Sequence, residues 1–152
     1  MKMTIEEMFM NGVDEHKKGN LEKAKKIYIN IIKLNPKHHN ANNNLGLISL
    51  ASFKSELSLH YFEKAIKVNS SIEQYFFNYI NALINLGKID KARKSLKDCE
   101  SNNFNQKTVN HLYNRCLNPI ECFRNGNLYK ANNQNYIEFL KILHKKKYNI
   151  YF

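Results

Sequence analysis

FMNGVDEHKKGNLEKAKKIYINIIKLNP, residues 9–36, returns in outline as NNLGLISLASFKSELSLHYFEKAIKVNS at 43–70 and as FNYINALINLGKIDKARKSLKDCESNNF at 77–104. A shift of 34 residues superposes the three segments, and a fixed period of that length marks a stack of two-helix units. Small residues meet at Gly12 and Gly46, with Ile80 in the third copy, and again at Ala24, Ser58 and Ala92. Larger apolar residues meet at Tyr28, Phe62 and Leu96, then one turn later at Ile31, Ala65 and Cys99. That order is what two closely packed helices require: small residues where backbones approach, large ones where side chains fill the seam.

Turn signals punctuate each copy. Gly19-Asn20 and Gly87-Lys88 stand between the two helices of the first and third units, where a residue able to take positive φ ends a helix. Phe53 occupies that place in the second unit. Pro36 closes the first unit, with Ser70 and Phe104 at the equivalent positions. Thr4 with Glu7, and Ser71 with Gln74, form capping-box patterns at the head of the first and third units. The spacing predicts helices at about 4–17, 21–34, 38–51, 55–68, 72–86 and 89–100, and a further one over about 106–117 that Pro119 ends.

These residues resemble the tetratricopeptide repeat family over roughly Ile5 to Phe104. The resemblance implies an all-α, right-handed α-α superhelix. Three repeats are expected at about 5–38, 39–72 and 73–106, with residues 105–152 a degenerate repeat and capping helices. Residues 118–130 can restart a helix after Pro119, and Tyr136, Phe139, Leu140 and Leu143 have the spacing of an amphipathic helix ending in His144-Lys145-Lys146-Lys147. An atypical terminal pair of this kind covers the apolar face that the last repeat of a stack exposes.

Repeat packing is expected from Gly12, Ala24, Tyr28, Gly46, Phe62, Ala65, Ala92 and Leu96. By the family's geometry the first helix of each unit lines a concave groove. Its peptide-binding residues are then Phe9, Val13 and Lys17 from the first unit, Asn43, Asn44 and Leu47 from the second, and Gln74, Phe77, Asn78 and Asn81 from the third. Glu6, Met10, Asn40, Leu50, Ile84 and Asn85 share those helix faces. Asn44 and Asn78 hold equivalent places, and a carboxamide both donates and accepts, so the pair suits the backbone of an extended peptide. Two rungs of this kind resemble the asparagine ladder of O-linked N-acetylglucosamine transferase arrays. The carboxylate clamp with which some three-repeat relatives hold an acidic chaperone tail is broken: Phe9, Val13, Gln74 and Asn78 stand where its cations and amide belong, and Asn44 alone fits. Unpaired peptide carboxylates would be desolvated there at a cost of several kcal/mol.

Composition bounds the remaining classes. The chain has 152 residues and is 43% hydrophobic, enough for one core that buries roughly two-thirds of the unfolded surface. No apolar run approaches the ~20 residues that cross a bilayer, and the opening segment lacks the apolar stretch of a signal peptide. A cytoplasmic chain is expected, with no membrane contact. The formal net charge is +11, which suggests a polyanionic partner. Yet the excess lies in Lys, Asn, Ile and Tyr, the bias of an AT-rich genome, while Arg, better suited to phosphate and base edges, occurs only at 93, 115 and 124. Nucleic acid is therefore not the expected partner on sequence grounds.

Neither a metal nor a cofactor is expected. Cys99, Cys116 and Cys122 form no CxxC pair, and the six histidines show no HxxxH or HExxH spacing. His38-His39 reads as a surface turn, and Cys99 as a small buried hydrophobe. Arg115 or Arg124 could lower the pKa of Cys116 or Cys122. No glycine-rich phosphate loop occurs. The sequence reads as a non-catalytic scaffold holding a partner peptide or helix. Its rivals are a stand-alone or truncated module of a glycosyltransferase- or sulfotransferase-type enzyme system and, further off, an RNA-binding helical repeat.

Overall fold

The computed structural model describes residues 3–116. The restarted helix, the terminal amphipathic segment and basic run, Cys122 and Arg124 lie outside the described residues. Among the described residues seven α-helices follow one another: α1 Ile5–Lys17, α2 Leu21–Leu34, α3 His39–Ala51, α4 Ser55–Val68, α5 Glu73–Asn85, α6 Ile89–Ser101 and α7 Gln106–Cys116. Every bound lies within about one residue of its sequence expectation. The chain divides into a unit of residues 1–91 and one of residues 92–152.

In the first unit each helix packs on the next from α1 to α5, and α3 also meets α5. Its core gathers Ala24, Tyr28 and Ile31 of α2 with Ala41, Leu45 and Ile48 of α3. Phe62, Ala65 and Ile80 are likewise fully buried. Gly12 of α1 and Gly46 of α3 let their helices approach the next one closely. A Cβ on Gly12 would lie 2.7 Å from Tyr28 Cε1, and one on Gly46 2.4 Å from Phe62 Cε1. Glycine is required there because the Tyr28 and Phe62 rings occupy the space that a Cβ would take.

The three turns inside the helix pairs are one motif used three times. Asn20 N–H reaches Glu15 O, Lys54 N–H reaches Ser49 O and Lys88 N–H reaches Leu83 O, each at 2.9 Å. The residue before each of these donors is left-handed: Gly19 at φ 81°, Phe53 at 57° and Gly87 at 70°. These six-to-one bonds are Schellman caps, which satisfy carbonyls at a helix end. In the first turn Glu15, buried on α1, accepts from Asn20 Nδ2 at 2.9 Å and pairs with Lys23 at 3.1 Å.

Helix starts differ more. At α1 the capping box forms: Glu7 N–H donates to Thr4 Oγ1 at 3.2 Å and Thr4 N–H to Glu7 Oε2 at 2.8 Å. The box expected from Ser71 and Gln74 does not form. The N-cap of α5 is Ile72, one residue later, with no side-chain cap. Asn69 Oδ1 instead accepts from Ser71 N–H at 3.1 Å and from Ser71 Oγ at 2.7 Å, while Gln74 donates to Asn78. The local Asx turn wins because its acceptor lies only two residues away.

In the second unit Ala92, Leu96 and Cys99 of α6, with Val109, Leu112 and Cys116 of α7, are buried. Arg93 donates from Nε at 3.1 Å and Nη2 at 2.8 Å to the Cys116 carbonyl, satisfying one of the orphan acceptors at the end of α7.

Candidate protein-interaction face

The first helices of the first unit carry a line of amides. Gln74 Nε2 donates to Asn78 Oδ1 at 2.9 Å, and Asn78 Nδ2 to Asn43 Oδ1 at 2.9 Å. Asn43 Nδ2 lies 3.5 Å from Asn44 Oδ1, and Asn44 Nδ2 donates to the Tyr28 hydroxyl at 3.1 Å. Every donor points the same way, so each amide polarises the next. A second cross-helix bond runs parallel: the Tyr75 hydroxyl donates to Asn40 Oδ1, and His39 Nδ1 meets that hydroxyl at 2.6 Å. Burial pushes the pKa of both tyrosines up; Asn44 opposes this at Tyr28.

The expected groove residues are unequally placed. Gln74 and Lys17 are exposed, Phe9, Val13, Asn44, Leu47, Asn78 and Asn81 are half-buried, and Asn43 and Phe77 are buried. Asn44 and Asn78 each commit one N–H to a partner within the chain, leaving one per amide. Asn43 serves as the link between them. Of the sequence-chosen face residues, only Glu6 and Lys17 carry charge. Their neighbours are aliphatic, aromatic or amide, so the face suits apolar side chains and peptide groups.

The packing set holds the interior instead. Ala24, Tyr28, Phe62, Ala65, Ala92 and Leu96 are all fully buried, and Gly12 and Gly46 are buried against rings.

His38 and His39 are not an exposed turn. Both are half-buried, and the His38 ring packs on Phe9 with centroids 5.0 Å apart. Asn42 was also not singled out by the sequence: it is buried, and its Nδ2 bonds the carbonyls of Pro36 at 3.1 Å and His38 at 3.0 Å, which ties the turn before α3 to the helix. A polar residue three places beyond a helix start was the available signal.

No group of three or more His, Cys, Asp or Glu among the described residues is placed to hold a metal. Burial pushes the Cys116 thiol pKa up, against the opposing pull of Arg93 and Arg115, so Cys116 is a poor nucleophile at neutral pH. Among the described residues, no helix is long and apolar enough to cross a membrane.

Known proteins place this architecture. The family profile described as tetratricopeptide repeat matches residues 15–38 and 39–72. None of the curated protein sequences matches the chain significantly. Among solved structures, the Yersinia enterocolitica type III secretion chaperone SycD, in complex with a peptide of the translocator YopD, aligns at TM-score 0.64 and 17% identity over 76% of this chain and 88% of that one. The second tetratricopeptide domain of human RPAP3, in complex with the HSP70 peptide SGPTIEEVD, aligns at TM-score 0.62 and 21% identity, covering 70% of this chain and 89% of that one. The Thermobaculum terrenum O-GlcNAc transferase aligns at TM-score 0.59 and 16% identity over 76% of this chain and 22% of that one. These likenesses show the all-α helical-repeat solenoid fold, and the repeat profile identifies residues 15–38 and 39–72 as tetratricopeptide repeats.

Proposed function

We propose that this chain is a non-catalytic scaffold that holds an extended, largely uncharged segment of a partner protein against the first helices of its repeats. The observation that carries this reading is the amide line from Gln74 to Tyr28, with Phe9, Val13 and Leu47 of the expected face half-buried. The second N–H groups of Asn44 and Asn78 meet partner carbonyls, and the flanking apolar residues take partner side chains. Residues 73–106 serve as a third repeat in this reading, and Gln74, Phe77, Asn78 and Asn81 belong to its part of the face. Peptide complexes of SycD and RPAP3 support a peptide-binding use of the fold.

An acidic tail such as SGPTIEEVD is not the expected ligand, because Phe9, Val13, Gln74 and Asn78 offer its carboxylates no cation. Affinity capture from the native host with the wild type and a Leu47→Glu variant tests the proposal. A protein retained by the first and lost by the second, with melting unchanged, supports the scaffold. A nucleic acid or an equal yield from both overturns it. The likeness to the transferase favours a second reading, a module of a glycosyltransferase system, for which the captured protein is that enzyme.

A further inference from the structure

His38 is the N-cap of α3, with its backbone extended at φ −71° and ψ 92°. The Ala41 N–H donates to His38 Nδ1 at 3.1 Å. A nitrogen that accepts carries no proton, so the ring must be neutral with its hydrogen on Nε2. The same ring packs on Phe9 of α1, which in turn lies 5.9 Å from the Tyr28 ring. One imidazole therefore joins α1 to the first turn of α3, where the candidate face begins.

We propose that His38 is an acid-sensitive latch between α1 and α3, closed while Nδ1 is unprotonated and opened when it takes a proton. Protonation sets one N–H against another, so the cap bond is lost. The imidazolium also faces the positive end of the α3 dipole. To leave that position the ring must swing away from Phe9, loosening the edge of the partner-binding face; this consequence for binding rests on the scaffold reading above.

The charged and titratable groups around the ring set the pH range. Burial is the largest influence and holds the His38 pKa below the ordinary imidazole value, and His39 on the same helix adds to this. Glu6 of α1 opposes them, as does a backbone hydrogen bond of His38 itself. Tyr75 of α5 acts on His39, to which it is bonded. With the folded pKa depressed, the unfolded chain takes the proton first. The stability carried by the latch is thus complete above about pH 6.5 and is lost as pH falls below it.

The test follows the Ala41 amide and the His38 ring by nuclear magnetic resonance in the full chain between pH 7.5 and 5.0, with exchange rates corrected for intrinsic pH dependence. Both signals should titrate with one midpoint, and Ala41 protection should fall about fivefold, the size of a lost helix cap. In His38→Ser, whose hydroxyl caps at either pH, Ala41 should stay protected throughout. The latch is overturned if Ala41 ignores the His38 titration, or if its loss of protection persists in His38→Ser. Neither result depends on a partner, so the scaffold reading stands or falls separately, by affinity capture.

Discussion

Phe53 holds the left-handed turn position that Gly19 holds 34 residues earlier, at φ 57° against 81°. The ring gains nothing to offset this, being 95% exposed. A left-handed L-residue costs about 1 to 2 kcal/mol, and glycine gives back roughly 0.5 to 1 kcal/mol through the freedom of the unfolded chain. Phe53→Gly should therefore stabilise the protein by about 0.5 to 1 kcal/mol in urea unfolding. A lower midpoint would mean that Phe53 makes contacts that outweigh the strain.

The helical glycines predict the opposite sign. Gly46→Ala places a methyl carbon 2.4 Å from Phe62 Cε1, whose ring is fully buried. Either the ring or the helix must move, at a cost of about 1 to 3 kcal/mol. Gly12→Ala, at 2.7 Å from Tyr28, should cost somewhat less. Unchanged melting in both would show that the helix pairs part easily.

Asn78→Ala removes the donor from the buried carbonyl oxygen of Asn43. Leaving that oxygen unpaired costs about 1 to 3 kcal/mol, whereas Gln74→Ala, at the exposed end of the line, should cost under ~0.5 kcal/mol. Sequence reasoning alone predicts that alanines at Asn44 and Asn78 weaken partner binding without touching stability. The in-chain bonds of both residues predict that binding and melting fall together. Equal melting of Asn78→Ala and Gln74→Ala would remove the amide line as a structural element.

Glu15 supplies a pH dependence. Its pKa is lowered, chiefly by the Asn20 amide and then by Lys23, against burial. A depressed carboxylate contributes stability that is present above the ordinary value of 4.5 and is lost as pH falls through the folded one. Glu15→Gln should melt below the wild type at pH 7, and the two should converge toward pH 3. A constant gap across that range would assign the residue's role to packing instead of charge.

The helices were legible because 34-residue self-similarity fixes both their number and their phase, and the turn at Phe53 was legible because its equivalents are glycines. The Ser71–Gln74 box misled because the same letters serve a nearer partner in Asn69. The face was only partly legible. Periodicity tells which helix side a residue occupies, but it cannot show that Asn43 is buried between Asn44 and Asn78, or that a histidine caps α3. Those depend on which of several hydrogen-bonding groups come within reach once the helices pack.

Asn43 and Asn78, like Asn40 and Tyr75, stand 35 residues apart, and each pair is joined by a side-chain bond. Together they measure the length of the chain between α3 and α5. Deleting one residue near Ser70, in the turn before α5, leaves every helix its own sequence. Yet keeping the bonded pairs opposite one another would then demand a turn of about 100° about the axis of α5. The segment between these contacts therefore tolerates substitution far better than a change in length.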